Sequence, residues 1–104
     1  MPLRNILVAF LQRCPSLGYC QGWSFIAARL LDVMQEEEAF WTFTQIMEVM
    51  LPLDYFSNLQ GIQTDMKVVM HLMGKQMPKL VEHLTKHNFD IELSLTKWLI
   101  CLFT

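Results

Sequence analysis

Hydrophobic positions recur along this chain at helical spacing almost from its first residue. Leu3, Ile6, Leu7, Phe10 and Leu11 follow i, i+3, i+4, i+7, i+8, the stripe of an amphipathic helix, with Pro2 acceptable in its first turn. This helix is expected to end near Arg13. Cys14 to Tyr19 then carries Pro15 and Gly18, both helix punctuators, so a turn should lead into a second helix starting around Gln21 or Gly22. That helix shows Trp23, Ile26, Leu30, Val33 and Met34 on one side. Glu36, Glu37 and Glu38 announce a third, because carboxylates in a first turn interact favourably with the positive helix N-terminus. Its stripe is Phe40, Phe43, Met47 and Met50.

Pro52 breaks the pattern within Leu51 to Phe56, and the residue before a proline disfavours helix, so a connecting loop is expected there. Ile62, Met66, Val69, Met70 and Met73 mark a fourth helix. Gly74 followed by Pro78 separates it from a short fifth, spanning Pro78 to His87. The last run, from about Leu93, presents Leu95, Trp98, Leu99 and Leu102. No stretch alternates with period two for long enough to suggest a sheet, and no long repeat is visible. The chain reads as all-α, an irregular array of about six helices.

Composition changes that picture in one respect. The 104 residues are 53% hydrophobic and 17% charged, against about 25% charged in an average soluble domain. A chain this apolar should expose a large hydrophobic patch, the mark of a missing partner surface or of missing sequence. The final segment also stops inside an apolar stripe, without a cap or a C-terminal glycine, so a piece of something larger is expected.

The apolar runs Ile6 to Leu11 and Trp98 to Phe103 fall far short of the roughly 20 residues that a membrane-spanning helix needs. Met1 to Phe10 contain one arginine and no small-residue cleavage site, which fits an amphipathic helix better than a secretory signal. Cys14, Cys20 and Cys101 are odd in number and sit among apolar residues, which suits reduced thiols and a cytoplasmic setting. Net charge is −2 and the lysines are spread singly, so nucleic-acid binding gains no support.

Three motifs in order carry a resemblance. They are Pro15-Ser16-Leu17-Gly18-Tyr19-Cys20-Gln21-Gly22, then Glu37-Glu38-Ala39-Phe40-Trp41, then Leu93 to Phe103 with Trp98. Together they resemble the central part of the TBC domain of Rab GTPase-activating proteins: a turn leading to Tyr-x-Gln-Gly, an acidic lead into an aromatic-rich helix, and a tryptophan-containing helix behind the catalytic face. The resemblance implies that residues 1–104 form a partial TBC domain. It also implies a Rab-family small GTPase as partner and a role in vesicle trafficking, with contact to endomembranes only indirect. The glutamine finger of the family carries over onto Gln21.

GTP hydrolysis needs a water held in line with the γ-phosphate and stabilisation of the charge developing on the phosphate oxygens. A side-chain amide suits this task, with a carbonyl acceptor for the water and an N–H donor for the phosphate. TBC proteins, as the resemblance implies, supply this glutamine in trans. GTP and Mg²⁺ then belong to the partner, and the chain needs no cofactor of its own. Tyr19 and Trp23 flank Gln21 and either orient the turn by packing or touch the GTPase. Gly18 and Gly22 suit either a close approach of backbone to a partner or a plain turn.

The second catalytic element of the family is an arginine finger in an upstream Ile-x-x-Asp-x-x-Arg motif. Ile62-Gln63-Thr64-Asp65 begins such a pattern but lies downstream of Gln21 and reaches Val68 where the arginine belongs. Arg4 and Arg13 lie on the first helix without the motif. An arginine finger is worth roughly 10³ to 10⁵ in rate, so these residues alone are expected to be nearly inactive. Whether the longer domain is a competent activator or a catalytically silent binding module depends on that arginine.

Other chemistries fare worse. His83 and His87 stand i, i+4, but no common zinc spacing joins them to Cys14 and Cys20, so no metal site is expected. Cys20 precedes a helix start, yet no protease or phosphatase signature surrounds it. Met66, Met70 and Met73 keep helical spacing and read as packing.

Overall fold

A computed structural model describes residues 1–52, 55–56 and 59–104. The described residues form six α-helices: α1 (Pro2–Arg13), α2 (Trp23–Leu31), α3 (Glu36–Gln45), α4 (Gln60–Gln76), α5 (Pro78–Lys86) and α6 (Ile91–Ile100). A π-helical turn, Ile46–Met50, extends α3. Among the described residues there is no strand.

The expected stripes become two cores. Ile6 and Phe10 of α1, Trp23, Ile26 and Ala27 of α2, and Ala39, Phe43 and Met47 of α3 and its extension form the first. Aromatic rings lock it together: Phe10 meets Trp23 and Phe43 edge-on at centroid distances of 5.3 and 5.1 Å, geometry favoured by the ring quadrupoles. Tyr55, Ile62 and Leu99 form the second, smaller core, where α4 lies against α6 and the Tyr55 hydroxyl donates to the Leu99 carbonyl at 3.2 Å. Leu51, Phe56 and Leu102 pack against both cores and join them.

The molecule is open in form. Its radius of gyration is 16.0 Å, against about 13 Å expected for a compact domain of this length, and its extents are 46 × 27 × 20 Å. Large apolar side chains stand exposed, Phe25, Trp41, Trp98 and Phe103 among them, as the composition led us to expect.

Several boundaries differ from the sequence pattern. Helix α2 begins at Trp23 and ends at Leu31, so Val33 lies beyond it and is exposed rather than on the packed side. Met50 is also exposed, because the π-helical turn, closed by Leu51 N–H to the Ile46 carbonyl at 3.0 Å, adds a residue per turn and rotates it off the stripe. Gly74 does not end α4. The helix runs through it to Gln76, and the break comes where Met77 precedes Pro78. Helix α6 starts at Ile91, two residues before the expected start near Leu93, because Asp90 caps it by accepting from Leu93 N–H at 2.9 Å. Within the expected loop Leu51 to Phe56, residues 53–54 lie outside those described.

Candidate functional site

Gln21 sits in the turn just ahead of α2, exposed to solvent. Its side-chain amide makes no hydrogen bond among the described residues, while its carbonyl accepts from Ser24 Oγ at 3.2 Å. The backbone behind it is fixed. Trp23, two residues on, is completely buried and surrounded edge-on by Phe10, Phe43 and Phe56. Gly22 is buried against the end of α6, where a Cβ would overlap both the Cγ2 methyl and the carbonyl of Ile100. The close approach that this glycine serves is therefore to its own chain.

Tyr19 is 53% exposed and meets the Trp23 ring edge-on at 6.1 Å. It packs on the anchor and still offers a face to solvent. Gly18 adopts a left-handed φ of +66° in open space, so its role is conformational: it lets the chain reverse where another residue would be strained. Cys20 is half-buried against the first core and its carbonyl accepts from Trp23 N–H at 3.0 Å, closing the turn.

Gln21 and Gly22 border a cleft of about 300 Å³ between the start of α2 and the end of α6, with Phe25, Lys97, Ile100 and Cys101 as the other lining residues. Phe25, Lys97 and Cys101 also line an adjoining hollow with Trp98 and Phe103. Sequence motifs brought Gln21, Gly22 and Trp98 to attention. Phe25 lies outside those motifs, and Lys97, Ile100 and Cys101, though within the Leu93 to Phe103 motif, were not singled out as site residues. Only the crossing of α2 and α6 makes them neighbours of Gln21, and no periodicity along one helix encodes that crossing.

A second cluster lies at the other end of the same turn. Glu48, on the π-helical turn, takes Arg13 Nε at 2.7 Å and Nη2 at 3.3 Å, and its Oε1 also accepts from Cys14 Sγ at 3.2 Å. The Arg13 guanidinium stands 5.6 Å over the Trp41 ring. Hydrogen bonds from Arg13 and then Cys14 hold the Glu48 carboxyl below its ordinary range, and the same pairing raises Arg13. Burial, aided by the Glu48 hydrogen bond, pushes the Cys14 thiol up, the opposite of an activated nucleophile.

His83 and His87 lie ring to ring, 4.3 Å between centroids, with His87 Nδ1 2.8 Å from the His83 carbonyl. No group of three or more metal-ligating side chains gathers among the described residues, and no described helix is long and apolar enough to cross a membrane.

Comparison with known proteins bears on this arrangement. Human TBC1 domain family member 2A is 40% identical over 103 residues, covering 97% of this chain and 11% of that protein. Human Small G protein signaling modulator 3 is 40% identical over 102 residues, covering 97% of this chain and 14% of that protein. Human TBC1 domain family member 2B is 38% identical over 102 residues, with 97% and 11% covered. The chain thus spans only 11–14% of the length of these relatives. No solved structure matches. The family model of the Rab-GTPase-TBC domain matches residues 2–104, and with relatives at this identity along nearly the whole chain, the protein belongs to the Rab-GTPase-TBC domain family.

Proposed function

We propose that the chain is part of a GTPase-activating module for a Rab-family small GTPase, with Gln21 as the glutamine finger supplied in trans. The observation that carries this reading is the combination of an exposed, unengaged amide at Gln21 with a rigid base beneath it in Gly22 and Trp23. Catalysis by positioning needs that combination, since a misplacement of about 1 Å can cost roughly 10²-fold in rate.

The amide carbonyl of Gln21 accepts from the attacking water and its N–H donates to a γ-phosphate oxygen, while GTP and Mg²⁺ stay with the partner. Gln21 stands ahead of the N-terminus of α2, whose dipole favours negative charge there, and the first turn of α2 carries no acidic residue to oppose it. The cleft beside Gln21 gives the GTPase an aromatic surface at Phe25 and a cation at Lys97. Through the Rab, the module acts in vesicle trafficking, a cytoplasmic protein brought to endomembranes by its partner.

Single-turnover GTP hydrolysis by a panel of Rab proteins, with and without the full-length protein, tests this reading. Acceleration of at least one Rab is expected. Binding to a Rab with no acceleration of any would replace the activator by a catalytically silent docking module.

A further inference from the structure

The segment from Cys14 to Gly22 that presents Gln21 is largely exposed, at Pro15, Ser16, Gly18, Tyr19 and Gln21 itself. Its internal backbone hydrogen bonds are few: Leu17 N–H to the Cys14 carbonyl at 3.3 Å, and Trp23 N–H to the Cys20 carbonyl at 3.0 Å. Such a segment holds one direction only if both ends are fixed. The trailing end is fixed by Gly22 on Ile100 and by Trp23 in the core.

The leading end has its own clamp. Glu48 engages two consecutive residues, Arg13 at the last position of α1 and Cys14 at the first position after it. The fork of two guanidinium nitrogens on two carboxylate oxygens fixes an orientation as well as a distance. Trp41 supports the guanidinium from α3, and Leu17 joins Arg13, Cys14 and Glu48 around one small hollow, so the clamp reaches into the turn itself. Glu48 lies on the π-helical turn, a widening that redirects side chains and that recurs near functional sites.

We infer that Glu48 is a positioning residue for Gln21: through Arg13 and Cys14 it fixes the start of the turn, and with it the direction in which the glutamine amide projects. This rests on the reading of Gln21 as the working amide. Glu48 touches neither nucleotide nor water in this scheme, so its loss lowers the rate within the complex and leaves docking intact. Arg13 is the other half of the same device.

The test is single-turnover GTP hydrolysis by a Rab that the full-length protein accelerates, measured over a range of activator concentration. Four proteins are compared: wild type, Glu48→Ala, Gln21→Ala and the double variant. Glu48→Ala is expected to lower the maximal rate about tenfold while the half-saturating concentration stays within about twofold, and to add nothing in the Gln21→Ala background. Arg13→Gln breaks the clamp from the other side and should reproduce the effect, which guards against a folding defect peculiar to Glu48→Ala. Wild-type rates in both clamp variants would overturn the proposal, and so would an equal loss with and without Gln21, or a change confined to half-saturation. If Gln21→Ala itself keeps the full rate, the glutamine reading fails and the positioning role falls with it. A loss in Gln21→Ala with none in the clamp variants overturns the positioning role alone.

Discussion

Gly22 rests directly on Ile100, so that the bare backbone at the start of α2 meets the Cγ2 methyl and carbonyl at the end of α6. Because the overlap of an added Cβ would include the Ile100 carbonyl as well as its methyl, no rotamer change can relieve it fully. Gly22→Ala should therefore destabilise the protein by about 1–3 kcal/mol in chemical denaturation, and Ile100→Ala should restore only part of the loss. Gly18→Ala is a contrasting case. The space around Gly18 is open and the penalty is only that of a left-handed φ, about 1 kcal/mol, with Gly18→Asn milder still.

Trp23 is wholly buried, yet its indole Nε1–H has no acceptor among the described residues. Trp23→Ala should cost about 3–5 kcal/mol by emptying the centre of the first core. Trp23→Phe should cost under about 2 kcal/mol, because loss of an unsatisfied buried donor offsets part of the lost packing. Urea midpoints for the two variants check this, and equal losses would mean that the N–H has a partner after all.

The Arg13–Glu48 pair ties stability to pH in a definite direction. Arg13, and then Cys14, lowers the Glu48 pKa in the folded state beneath its ordinary value of 4.5. The folded protein therefore binds that proton less readily than the unfolded chain. The contribution of the pair is fully present above about pH 4.5 and is lost as pH falls through the lowered value. Melting temperatures of wild type and Glu48→Gln should differ at pH 7 and converge as the pH falls through the lowered Glu48 value.

Much of this was legible in the sequence, because α1 and α3 have clear stripes, and α1, α3 and α5 carry Pro or acidic residues at their starts. The motif around Gln21 pointed to the turn and to the family. What could not be read were features created by contact across the fold. Gly22 looked like a turn or partner-facing glycine, but Ile100, far along the chain, decides its role. Glu48 lay on what read as one regular helix, and its contacts with Arg13 and Cys14, made from the π-helical turn, cross between segments far apart in the chain. Trp98 read as part of a buried stripe but is 52% exposed, while the next residue, Leu99, is the one that α6 buries in the second core.

The central claim is that Gln21 acts on the GTPase reaction itself. The measurement that tests it most directly is the maximal single-turnover rate of GTP hydrolysis on a responsive Rab, with saturating full-length protein, wild type against Gln21→Ala. A loss of about 10²- to 10³-fold is expected, as for removal of one preorganised transition-state contact, with half-saturation little changed. Acceleration undiminished by the substitution would contradict the account and remove Gln21 from the mechanism.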